Sequence, residues 1–148
     1  RKPVPSAPDG EKGAVGEWTT LNHPSGDWSL SYPTGWTVAK MSLSEWGSEG
    51  GFKLPSQAKD QLPAMYYRIA PLTNVEPQGT SQVRAPDRVP YQNISLGDRD
   101  AFLYPTMGAI PGEQELIFEK VGYVVIFNFF PSVDDDVVIE MARRFIVD

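Results

Sequence analysis

Residues 123–129 read YVVIFNF, and both faces of that run are apolar. Side chains alternate along a strand. Tyr123, Val125, Phe127 and Phe129 therefore share one side, and Val124, Ile126, Asn128 and Phe130 the other. β-Branched and aromatic residues dominate, which favours a strand over a buried helix. A strand apolar on both sides belongs inside a sheet covered on both sides. Pro131 ends it, because proline has no N–H to give to a ladder. A helix then follows. Ser132 or Asp134 caps it, and Asp134, Asp135 and Asp136 face the positive end of its dipole. Val137, Val138, Met141, Ala142 and Phe145 recur at three- and four-residue steps, and Arg143 and Arg144 suit the negative end. The chain must build a sheet around residues 123–129 and lay this helix on it.

The remaining segments supply strands and loops. Residues 1–16 hold Pro3, Pro5, Pro8, Gly10, Gly13 and Gly16 and almost nothing to bury, as an extended linker does. A short strand is expected around Trp18. Trp28, Leu30 and Tyr32 alternate with Ser29 and Ser31, and Pro33-Thr34-Gly35 reads as a turn, so residues 28–39 are expected to form one hairpin. Residues 42–46 suggest a helical turn, 47–51 a loop, and 55–62 a short helix with Pro55 at its first position. Strands are expected at 65–70, 91–96, 99–104 and 113–119. The stretch 71–90, rich in proline, glycine, threonine and serine, is a long loop, a kind that tends to be functional or mobile.

Composition excludes several functions. The chain has 148 residues, enough for one domain with a core, and 41% of them are apolar. The formal net charge of -6 opposes nucleic acid and anionic membrane surfaces as main partners. With no cysteine there is no disulfide, zinc-thiolate site or thiol nucleophile. No apolar run is long enough to span a bilayer.

The run Trp28-Ser29-Leu30-Ser31-Tyr32-Pro33-Thr34-Gly35-Trp36 resembles the aromatic-x-hydrophobic-x-Tyr-Pro-x-Gly-Trp signature of the PsbP/Mog-like superfamily. That superfamily includes the PsbP subunit of photosystem II, nuclear Ran-binding Mog proteins and many bacterial lipoproteins. Gly97-Asp98-Arg99-Asp100-Ala101 stands where the family has a β-turn and a small residue. The strand 123–129 and a helix closing on Arg144-Phe145 match its final elements. The resemblance covers residues 18–146 and departs at the 71–90 loop. It implies an antiparallel sheet between helices and a role in binding other proteins, not an enzyme.

No catalytic constellation stands out. His23 is the single histidine, and its neighbours Ser25 and Asp27 lie in a turn without the strand–turn–helix setting of a nucleophile. Asp134, Asp135 and Asp136 diverge around a helix start, which suits capping better than a cation. Glu113, Glu115 and Glu119 share a strand face, as a solvated face would. Asn93-Ile94-Ser95 has the glycosylation pattern but falls inside an expected strand. Trp28, Tyr32 and Trp36 suit the core of a hairpin, whereas Trp46 lies in a glycine- and serine-rich stretch, where an aromatic residue suits a contact.

These observations lead to one set of expectations. The fold is α+β: an antiparallel sheet of about six to seven strands sandwiched between helices (α/β/α), with the C-terminal helix packed on the sheet. Residues 1–16 are a flexible linker and 17–148 a single domain. The function is that of a non-enzymatic protein-binding or accessory module outside the cytoplasm. It would be tethered through its linker, with a lipid anchor as one arrangement, and monomeric. No cofactor, metal, nucleic acid or direct membrane insertion is expected. The partner is an unknown protein, met through the 41–52 segment and the 71–90 loop; the candidate contacts are Trp46, Phe52, Val75, Arg84 and Arg88. The alternative is a small-ligand or glycan carrier with a pocket lined by aromatics such as Trp46, Tyr66 and Tyr67.

Overall fold

The structure, a computed structural model, describes residues 16–43, 47–71, 92–105 and 112–148. Most of the expected linker, Trp46, nearly all of the stretch 71–90 and most of the stretch 105–112 lie outside these residues. The elements run β1 (Trp18–Asn22), β2 (Trp28–Pro33), β3 (Thr37–Ser42), β4 (Ser48–Lys53), β5 (Met65–Pro71), β6 (Gln92–Ser95), β7 (Asp100–Pro105), β8 (Gln114–Lys120), β9 (Tyr123–Phe129), α1 (Asp135–Arg144) and β10 (Ile146–Val147). Among the described residues they make a seven-stranded sheet, ordered β3-β4-β5-β9-β8-β7-β6, and a three-stranded sheet, ordered β1-β2-β10. Every strand pairing is antiparallel.

This corrects the expected sheet between helices. The described residues are mostly strand and contain a single α-helix, α1. Where the sequence suggests a helical turn at 42–46 and a short helix at 55–62, the described residues of 41–62 hold the end of β3, the whole of β4 and a series of turns. Glycine made residues 47–51 read as a loop. In β4 the glycines make room instead: a Cβ on Gly50 would come within 2.6 Å of the Tyr67 hydroxyl, and one on Gly51 within 2.8 Å of the Pro63 ring. Residues 55–62 do not continue as a helix because their glutamines serve turns. Gln57 Oε1 accepts from Leu54 N at 2.7 Å, and Gln61 Oε1 from Ala58 N at 2.6 Å.

The expected 28–39 hairpin is also replaced. Both strands exist, but β2 pairs with β1 and β10, whereas β3 pairs with β4. Gly35, at φ +105, lets the chain leave one sheet and enter the other. The C-terminal β10 completes the small sheet through Ile146 opposite Ser29 and Val147 opposite Trp28.

The central strand and the helix form where the sequence places them. β9 lies between β5 and β8, in the middle of the large sheet. Asp134 caps α1, its Oδ1 accepting from Asp136 N at 3.0 Å. Val137, Val138, Met141 and Ala142 are buried. One core joins these residues to Leu30 and Trp28 of β2 and to Phe52, Tyr67, Leu116, Phe118, Val125, Phe127 and Phe129 of the large sheet. Aromatic contacts tie the layers together. Trp28 and Phe118 each lie 5.9 Å from Phe145, and Tyr32 lies 4.9 Å from Phe52. Helix and small sheet thus cover one face of the large sheet. Its other face carries a smaller buried cluster, Phe102, Tyr104, Ile117, Val124 and Ile126.

Candidate functional site

The strand register decides which side chains meet on that second face. Alternation along β4, β5, β9, β8 and β7 sets every other residue on it. One lateral row reads Gly51, Tyr66, Asn128, Glu115 and Tyr104 across the five strands. The next reads Glu49, Arg68, Ile126, Ile117 and Phe102. The face is therefore apolar toward β7 and β8 and polar toward β4 and β5.

The polar end holds a cleft of about 290 Å³ lined by Glu49, Gly50, Tyr66, Tyr67, Arg68 and Asn128. Gly50 and Tyr67 point their Cα substituents to the core side, so they form its floor with main-chain atoms. Asn128 Nδ2 donates to Glu115 Oε2 at 3.4 Å, a long bond that sets the amide across the row. Tyr66 packs edge-on to Phe130, at 6.4 Å and 84° between rings, which fixes its ring beside the amide. Glu49 and Arg68 are exposed and stand directly opposite on β4 and β5. Among the described residues neither makes an ion pair or a side-chain hydrogen bond.

Beneath the floor, Tyr67 runs back across Gly50 into the core, its ring 5.4 Å from Phe52. Burial, and secondarily the neighbouring Tyr32, push its phenol up to about 12. Its hydroxyl, like Trp36 Nε1, is buried without a hydrogen-bond partner among the described residues.

The other candidates resolve as structure. Ser25 N donates to His23 Nδ1 at 3.1 Å, so that nitrogen is an acceptor and the Ser25 hydroxyl, 2.7 Å away, donates to it as well. Asp27 enters this network through its backbone N–H, which donates to Ser25 Oγ at 3.2 Å. The network holds the β1–β2 turn. Burial and the flanking Asp134 and Asp136 push the Asp135 carboxyl above its ordinary range. Among the described residues no group of three or more His, Asp or Glu side chains is placed to hold a metal ion. No described helix is long and apolar enough to cross a membrane.

Of the expected contact residues, Phe52 is 0% exposed and packs at the centre of the core, where it offers a partner no surface. Trp46, Val75, Arg84 and Arg88 lie outside the described residues. Of the aromatics expected around a ligand pocket, Tyr66 lines the cleft with its side chain, Tyr67 borders it but turns its ring into the core, and Trp46 lies outside the described residues. Glu49, Arg68 and Asn128 were not singled out in the sequence. Asn128 carried a signal: it interrupts the otherwise apolar face of Val124, Ile126 and Phe130.

No family model matches this chain, and no curated protein matches it. A solved structure of a protein from Bacteroides thetaiotaomicron VPI-5482 is similar, with a TM-score of 0.52 at 12% sequence identity, over 87% of this chain and 48% of that one. This chain spans about half the length of that neighbour, and a likeness at such low identity concerns the fold alone.

Proposed function

We propose that this chain is a non-catalytic binding module and that the cleft on β4, β5 and β9 takes a polar ligand. One observation carries the reading. A guanidinium and a carboxylate, Arg68 and Glu49, face each other across a strand pair without engaging each other or any other described group. They do so beside a fixed tyrosine ring and an amide. Convergent polar groups of opposite character around a concave surface are what orient a small ligand.

Of the contact residues on which a partner-binding accessory module rests, Phe52 is buried, and Trp46, Val75, Arg84 and Arg88 lie outside the described residues. Placement outside the cytoplasm, on a tether made of residues 1–16, belongs to the same proposal. Its support is the absence of cysteine and the proline and glycine of that segment.

The test is a ligand-observed NMR screen of the intact chain against pools of neutral sugars, amino acids, nucleotides and polyamines. It is run in parallel on a Glu49→Ala/Arg68→Ala variant. The reading expects at least one molecule that binds the parent and not the variant. Hits that ignore the double substitution, or no hits, would overturn it.

A further inference from the structure

We infer that the ligand of this cleft is a neutral saccharide, an inference that rests on the binding-module reading and narrows it. Charge comes first. The cleft sets one guanidinium, Arg68, opposite one carboxylate, Glu49, and its other lining residues carry no charge. The chain as a whole carries a formal charge of -6. One guanidinium and one carboxylate among the lining residues cancel, so a phosphate or nucleotide finds no net positive charge there to hold it.

Hydrogen-bond chemistry narrows the choice further. Arg68 offers only donors and Glu49 only acceptors. Directly opposed strand positions hold their Cβ atoms about 5 Å apart, so the two head groups reach adjacent points of one ligand. Neighbouring hydroxyls on a sugar ring match that pair, because each hydroxyl both donates and accepts. Asn128 engages Glu115 through one N–H, which leaves its carbonyl oxygen and second N–H for a further hydroxyl.

The aromatic group completes the match. A sugar ring has an apolar C–H side as well as a polar rim. Tyr66 is half-buried, lines the cleft and packs T-shaped against Phe130, so its ring is the aromatic group there that can receive that side. The cleft, at about 290 Å³, is at the low end of ligand pockets and suits one or two sugar rings.

The experiment is isothermal titration of the intact chain. The probes are D-glucose, D-galactose, D-mannose, N-acetyl-D-glucosamine, L-fucose, D-xylose, cellobiose, maltose and lactose. Glycine, L-glutamate, L-lysine and inorganic phosphate are titrated alongside. At least one saccharide is expected to bind saturably at one site per chain. Tyr66→Ala and Arg68→Ala are each expected to weaken it about tenfold or more, with Arg68→Lys restoring only part of the loss. Binding of an amino acid, but of no saccharide, that is lost in Arg68→Ala would overturn the saccharide assignment and leave the binding reading intact. Saccharide binding indifferent to both substitutions would overturn the assignment to this cleft. No binding by any probe, together with a blank pooled screen, would overturn both.

Discussion

Glu49 and Arg68 are direct cross-strand partners on β4 and β5, and yet their side chains do not bond to each other. An exposed pair in this position ordinarily contributes 0–1 kcal/mol, so stability gives little reason for either residue. Glu49→Ala and Arg68→Ala are each expected to change unfolding stability by less than about 0.5 kcal/mol. Their coupling in a double-mutant cycle is expected to stay under about 1 kcal/mol. Urea denaturation of the four proteins checks this. A larger coupling would make the pair structural and remove it from the ligand account.

Phe52 distinguishes a core residue from a contact residue. It is fully buried and touches Tyr32, Trp36 and Tyr67. Phe52→Ala is therefore expected to cost about 3–5 kcal/mol, the price of a cavity between the two sheets. Denaturant unfolding with an unchanged slope is the readout. A loss below about 1 kcal/mol would mean that the ring is not in this core.

Tyr67 should leave a mark on the pH dependence of stability. Its phenol titrates near 12 in the folded chain against an ordinary value of 10.0. Above pH 10 the unfolded chain releases this proton while the folded chain keeps it, so the folded state binds more protons and stability falls as pH rises. The contribution is complete below pH 10 and is lost through pH 12, by roughly 2–3 kcal/mol in all. Tyr67→Phe should remove this part of the alkaline decline. The substitution also deletes a buried hydroxyl that has no hydrogen-bond partner among the described residues, so at neutral pH it is expected to stabilise by about 1 kcal/mol. Tyr123, raised by burial and by Asp27, is present in both proteins, so the difference between their curves isolates Tyr67.

Val121 sits at the tip of the β8–β9 hairpin with φ +44, followed by Gly122 at φ +84. Two positive φ angles in sequence make a turn of the type that favours Asn-Gly, and a β-branched residue is strained at its first position. Its side chain is 66% exposed, so little packing is lost on replacement. Val121→Asn is expected to raise stability by about 1 kcal/mol, read as a higher melting temperature.

Much of the fold was legible in local pattern, and what was not depended on distance in the chain. β9, α1 and its Asp134 cap follow from alternation, periodicity and capping chemistry within about 26 residues, 123–148. β4 did not, because Gly50 and Gly51 read locally as loop. Their reason lies in Tyr67 and Pro63, more than ten residues away, which occupy the space a Cβ would need. The Pro33-Thr34-Gly35 turn was visible, but turn residues do not state the angle at which the chain departs, so the sheet that β3 joins was not. The site divides in the same way. Tyr66 and Tyr67 were visible as aromatics in a strand. Glu49 and Arg68 meet only through the β4–β5 register, which no short-range pattern encodes.

The most direct test of the central claim follows backbone amide chemical shifts of the intact chain during titration with the same saccharides. The account expects saturable shifts concentrated at Glu49, Gly50, Tyr66, Arg68 and Asn128, and their disappearance in Arg68→Ala at unchanged melting temperature. Shifts centred elsewhere that survive Arg68→Ala, or no shifts at all, would contradict it.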